Sequence, residues 1–170
     1  MIGIKENEFS LLREKFVEHR FISDVLERLW RYGYYDVEVL HSESDNAGYD
    51  LVMTCNRVTS YIQLKSILKE SRNTRHKIHA RLAEKQNALV VLAILEKTED
   101  KIEVEYKYFN ITRVGFSKLK PAKHSKGDSN GEKKIRRNVR IVNAGKFDSV
   151  NIDGLLTIMF DIKLKRINRK

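Results

Sequence analysis

The chain has 170 residues and a mass of 19.9 kDa, the length of a single domain. Its 41% hydrophobic and 9% aromatic content can bury one core, and 33% charge with a mean hydropathy of -0.49 excludes a membrane-embedded or disordered chain. The net charge of +10 is uneven: residues 1–112 hold 17 basic and 18 acidic side chains, net -1, and residues 113–170 hold 16 and 5, net +11.

A one-sided basic surface attracts polyanions, most commonly nucleic acid, although it can also serve as a solubilising face. No apolar run approaches the roughly 18 residues of a membrane span. The segment MIGIKENEF carries charge where a secretory leader needs an apolar stretch, and the lone Cys55 cannot form an intramolecular disulfide. A cytoplasmic protein with no membrane partner is expected.

In chain order, Phe9, Leu12, Phe16, Phe21, Val25, Leu29 and Tyr32 recur at helical intervals, predicting one long helix over 8–32 that stops at Gly33. Tyr35, Val37 and Val39 alternate with polar neighbours and predict a short strand. After the polar HSESDNAG turn, residues 49–54 and 58–66 predict two strands joined in a tight hairpin at Cys55, Asn56 and Arg57. Residues 73–87 place Ile78, Leu82 and Ala83 on one side and predict a second helix. The run ALVVLAIL has the composition of a central strand buried on both faces. KIEVEYKYFNI alternates again and predicts another strand. Residues 121–131 read as a loop. Residues 137–143 predict a last strand with Val139 and Ile141 on one side and Arg140 on the other, followed by a closing helix over 152–160 behind an Asn151 N-cap. Strands interleaved with helices give an α/β fold, a mixed central sheet flanked by helices. The expected division is one domain, with a core over 1–112 and a basic region of strand and helix over 113–170.

The chemistry concentrates in GYDLVMTCNRVTSYIQLKS. Asp50 begins one predicted strand where a core strand prefers an apolar residue. Thirteen residues later, Gln63 and Lys65 stand two apart and so share a strand face, with Ile62 and Leu64 on the other. A lysine in the middle of an apolar strand loses hydration, a cost usually offset by a carboxylate, a bound anion or a functional role. A carboxylate, an amide oxygen and an ammonium at one end of a hairpin can make a phosphodiester-cleaving site. Mg²⁺ takes hard oxygen ligands and keeps several waters, so Asp50, the Gln63 carbonyl and the Leu64 backbone carbonyl suffice with a substrate phosphate. Lys65 would orient or deprotonate the attacking water. An edge strand whose Gln and Lys merely face water has the same spacing.

These residues resemble the motif of the PD-(D/E)xK nuclease superfamily, in particular its Mrr-like and defence-associated branches, where the second acid is replaced to give Q-x-K. Asp50 matches the motif's Asp, and Gln63, Leu64 and Lys65 match Q-x-K. The family core of helix, three-stranded meander, helix and strand resembles the order of elements over residues 8–95; the last 75 residues match no named pattern. The resemblance implies a restriction-endonuclease-like fold, a Mg²⁺-dependent DNA endonuclease in which Mn²⁺ can substitute, and a role in restriction, defence or DNA repair. It further implies a helix-borne Glu as accessory metal ligand. Glu18 is favoured over Glu27, which lies nine residues on and therefore about 180° around the helix. Replacing a carboxylate by Gln63 removes a negative ligand and weakens metal affinity, so the motif fits both an active enzyme and a catalytically inactive nucleic-acid-binding or protein-interaction module.

The remaining candidates concern grip. His76 and His79, three apart on the predicted helix, lack the further ligands of a zinc site and read as surface or phosphate-contacting residues. Lys69, Arg72, Arg75 and Lys77 could follow the backbone of a double-stranded DNA, and Lys133, Lys134, Arg136, Arg137 and Arg140 give the basic third the same capacity. Double-strand cutting needs two sites, which a homodimer would supply.

Overall fold

The computed structural model describes residues 9–43, 48–72, 74–111, 115–124, 126, 129 and 131–164. A 22-residue helix, α1 (Ser10–Arg31), precedes the antiparallel strands β1 (Val37–His41), β2 (Leu51–Cys55) and β3 (Val58–Leu68). The β2–β3 turn consists of Asn56 and Arg57 alone, at φ 50° and 65°. Two consecutive positive φ values match the twist of a two-residue hairpin, and Asn tolerates them more readily than Arg. β5 (Ala88–Lys97) lies parallel to β3, and β6 (Ile102–Asn110) and the two-residue β9 (Asp148–Ser149) follow antiparallel, giving the six-stranded order β1-β2-β3-β5-β6-β9. A mixed central sheet flanked by helices is the α/β arrangement expected.

The crossover between β3 and β5 is where expectation and structure part. Residues 75–79 form a strand, β4 (Arg75–His79), and only the single turn α2 (Ala80–Ala83) is helical. The burial of β4 alternates, with His76 and Ile78 inside and Arg75 and Lys77 outside. That period of two overrides the helical spacing seen in the sequence. β4 pairs with β8 (Ile135–Asn143), which pairs with β7 (Lys120–Lys123), forming a second, three-stranded sheet. Residues 120–123, expected partly as loop, are therefore a strand. The β7–β8 register shifts between Pro121 and Ala122. Val139 and Val142 are the buried pair of β8, with Ile141 only half-buried.

Two cores result. Against one face of the large sheet, α1 presses Val17, Phe21, Val25 and Leu29, and α3 (Ile152–Phe160) presses Leu155, Leu156, Met159 and Phe160, over Leu51, Met53, Ile62, Leu89 and Val91. Asn151 caps α3 as expected, its Oδ1 accepting the Gly154 N–H at 2.8 Å. Tyr32 donates to Asp153 at 2.9 Å and Arg28 pairs with it at 3.3 Å, tying the two helices together. Against the other face, Ile78, Leu82, Leu119, Val142 and Phe147 of the second layer cover Ala88, Val90, Leu92 and Phe109. β5 thus contributes to both cores and is buried along most of its length. Among the described residues, no helix is long and apolar enough to cross a membrane.

Candidate active site

Asp50 sits one residue before β2 and is held at three points. Its N–H donates to the Ile62 carbonyl at 2.8 Å, its carbonyl accepts from Ser42 N–H at 2.9 Å, and its Oδ2 accepts the Leu64 N–H at 2.6 Å. The β2–β3 register ends at Leu51 opposite Ile62, so the carboxylate takes a β3 donor beyond the last paired residue. That fixes the acid against the strand that carries the amide and the lysine.

Gln63 and Lys65 lie on β3 beside Val90 and Leu92 of β5, on the face covered by the second sheet. Gln63 is 8% exposed, and its Oε1 is buried without a hydrogen-bond donor among the described residues. An unsatisfied buried acceptor is uncommon. Glu18 projects from α1 with 16% exposure, 3.1 Å from His41 Nδ1 and 3.4 Å from Lys15 Nζ.

Glu18, Asp50, Leu64 and Lys65 line one cavity of about 750 Å³, with Arg75, His76 and Lys77 of β4 on its wall. Asp50, Gln63, Lys65 and Lys77 also border an adjoining cavity of about 280 Å³ closed by Arg136. The elements that meet here are the middle of α1, the start of β2, the centre of β3 and the outer edge of β4. Glu27 is elsewhere, paired with Arg31 at 3.7 Å and beside a different cavity with Arg20, Asp24 and Arg28. The helix turn separating the two acids places Glu18, and not Glu27, with Asp50.

His76 was expected on a surface helix and is instead buried, 5% exposed, its ring centroid 5.5 Å from that of Phe147 and its Nε2 without a partner among the described residues. Burial, and after it the charge of Lys65, hold its pKa below the usual imidazole value. The residue therefore faces the cavity as a neutral imidazole at neutral pH. His79 caps α2, its Nδ1 accepting the Arg81 N–H at 3.3 Å. The alternation of Ile78 with charged neighbours was the available signal for β4, and the basic composition of the segment obscured it.

The basic residues divide. Arg75, Lys77 and Arg136 border the cavities, and Arg72, Lys133, Lys134 and Arg137 are exposed. Lys69 is drawn to Glu96 at 2.6 Å, a bond that raises its pKa. Arg140 turns inward, its guanidinium 4.6 Å above the Phe116 ring and its Nη1 donating to the Arg137 carbonyl at 2.8 Å. Those two side chains serve the protein's own structure rather than the cavity.

As a metal site, the cavity offers mainly oxygen donors, with the His76 imidazole on its wall. Among the described residues, no three His, Cys, Asp or Glu cluster around one point. Carboxylates such as Glu18 and Asp50, a backbone carbonyl and the neighbouring Gln63 amide suit a hard cation that keeps water.

Comparison with family models and with curated proteins gives no match. Among solved structures, the chain is similar to Hjc of Archaeoglobus fulgidus, a Holliday junction resolvase from an archaeal hyperthermophile. The two are 15% identical, with a TM-score of 0.38, over 78% of this chain and 97% of that one. At that distance the likeness is one of outline.

Proposed function

We propose that the chain is a metal-dependent DNA endonuclease of the PD-(D/E)xK type with a Q-x-K motif. The observation that carries this reading is the convergence of Glu18, Asp50, Leu64 and Lys65 on one cavity, beside a buried Gln63 oxygen that lacks a donor. Asp50, Gln63, the Leu64 carbonyl and Glu18 would hold Mg²⁺, or Mn²⁺ in its place. The bound ion would supply Lewis-acid polarisation of the phosphate and a more acidic water.

Around that centre each residue has a task set by its position. Asp50 is kept from rotating away by the Leu64 N–H. Lys65, from the same strand, orients the attacking water and offsets the charge that develops on the phosphate oxygens. Water adds to phosphorus, and the bond to the leaving oxygen breaks. Arg75, Lys77 and Arg136 border the cleft and grip the flanking phosphates, giving affinity without sequence reading. The exposed Lys133, Lys134 and Arg137 extend that grip along double-stranded DNA.

The test is plasmid cleavage with Mg²⁺ or Mn²⁺. Asp50→Ala and Lys65→Ala should each reduce the rate by about 100-fold or more, the scale of losing one transition-state contact. Both variants should keep a salt-dependent affinity for DNA. Cleavage that survives both substitutions sinks the site. Salt-sensitive binding with no cleavage under any metal would instead identify a binding module on a nuclease fold.

A further inference from the structure

Tyr61, Gln63 and Lys65 occupy alternate positions of β3 and so form a row on one face, the face turned to the second sheet. Tyr61 precedes Gln63 by two residues, about 6.6 Å along the strand, a step comparable with the length of one nucleotide. Tyr49 immediately precedes Asp50 and borders the same 280 Å³ cavity as Asp50, Gln63, Lys65 and Lys77. The two tyrosine rings meet edge to face, 5.2 Å apart at 65°. Both are half-buried, so they form a fixed corner that still reaches solvent.

Two further features shape that corner. Gly48, at φ +78°, packs so close to α2 that an added Cβ would stand 3.0 Å from Leu82 N and 3.2 Å from His79 Cβ, which pins the backbone beside Tyr49. Lys85 Nζ rests 5.8 Å from the Tyr49 centroid and 5.2 Å from the Tyr61 centroid. Aromatic rings with a flexible lysine over them, one residue from Asp50 and two from Gln63, offer a nucleotide both a stacking surface, once the lysine swings to the phosphate, and a charge for that phosphate.

We propose that Tyr49 and Tyr61 form a subsite for an unpaired nucleobase next to the scissile phosphate, with Lys85 receiving that nucleotide's phosphate. A base inside an intact duplex is stacked on its neighbours and cannot use the corner. The subsite therefore favours single strands, frayed ends and branch points over continuous duplex. The inference rests on the nuclease reading for the position of the cut, but its test is binding.

The full chain is titrated, without divalent metal, against a single strand carrying 2-aminopurine and against a duplex of the same sequence. The wild type should change the 2-aminopurine fluorescence on binding. Tyr61→Leu and Tyr49→Leu should lower the ratio of single-strand to duplex affinity by about tenfold, the scale of one lost stacking contact, and Tyr61→Phe should preserve it. Wild-type binding of the single strand without a fluorescence change overturns the subsite whether or not the leucine variants fold. An unchanged ratio in folded leucine variants does the same. If the wild type binds neither substrate, the nuclease reading falls with it; if it cuts duplex but shows no stacking signal, the subsite alone is lost.

Discussion

On β3 alone, Ser60, Ile62 and Leu64 point toward α1 and α3, while Tyr61, Gln63 and Lys65 point toward the second sheet. The first side is an apolar layer in which the polar side chain of β3 is matched. Asn87 Nδ2 donates to Ser60 Oγ at 2.6 Å and to the Met159 carbonyl at 2.7 Å, and Ser60 donates to the same carbonyl. Among the described residues, the second side holds Gln63 Oε1, His76 Nε2 and Arg140 Nε buried without hydrogen-bond partners, and the helices of the first side hold Arg13 Nε and, beside Arg28, Asp153 Oδ1. On β3 itself the difference is clean: the buried Ser60 hydroxyl is bonded and the buried Gln63 oxygen is not, which separates a face built for packing from one built around something else.

The largest expected effect tests the packed side. Phe21 is fully buried on α1, its ring 5.6 Å from Tyr106 at 73°. Phe21→Ala should cost about 3–5 kcal/mol in urea unfolding. A loss below about 1 kcal/mol would mean that the helix-side core is loosely packed and the contrast between the faces is unreal.

Next comes the polar match on that side. Asn87 holds φ 54°, a conformation Asn tolerates better than residues with larger apolar side chains, and its amide reaches Ser60, Met159 and, at 3.2 Å, the Thr59 carbonyl. Asn87→Ala should destabilise by about 1–3 kcal/mol, from lost hydrogen bonds and a strained backbone. Asn87→Gly should recover the backbone part only. Equal stability of Asn87→Ala and wild type would show that the amide contributes nothing.

A smaller effect is expected of His76 on the open side. Its folded pKa lies below the unfolded value because burial, then Lys65, disfavours the charged ring. The unfolded chain therefore binds more protons below about pH 6.5, so this contribution is complete above that value and is lost as pH falls toward the lowered folded pKa. Comparing unfolding free energies at about pH 7.5 and pH 5 should show a smaller acid loss in His76→Leu than in wild type. Identical losses would place the imidazole in water.

The same contrast explains what the sequence made legible. Elements with one strong apolar rhythm were readable: the α1 stripe ending in Val25 and Leu29, the ALVVLAIL strand, and the closing helix behind Asn151. Asp50, Gln63 and Lys65 also stood out, because polar residues interrupt strands that otherwise want apolar ones, and the fold sets them beside one cavity. β4 did not. Of its two inward residues, His76 and Ile78, only Ile78 is strongly apolar, and its partner β8 lies some sixty residues downstream. A strand stabilised by so distant a neighbour carries a weak local signature. Tyr49 and Tyr61 were hidden differently: each fits its strand pattern alone, and only the fold brings the two rings together beside Lys85.

The smallest expected change in stability accompanies a large one in chemistry, at Gln63. Replacing a buried acceptor that has no donor by an apolar side chain of similar size removes a desolvated group without breaking a bond, so Gln63→Leu should be nearly neutral or stabilising, within about 1 kcal/mol. If the oxygen instead serves an ion, the same variant loses the rise in melting temperature that Mn²⁺ gives the wild type, because a ligand stabilises only the state that binds it. Gln63→Glu adds a negative donor and should respond to Mn²⁺ more strongly than wild type, while losing stability without metal, where a buried carboxylate stands uncompensated. Melting curves with and without Mn²⁺ for the three proteins, beside their cleavage rates, distinguish the cases. A Gln63→Leu protein that melts with Mn²⁺ as wild type does and cuts at the wild-type rate would remove Gln63 from the site and leave its orphaned oxygen without a role.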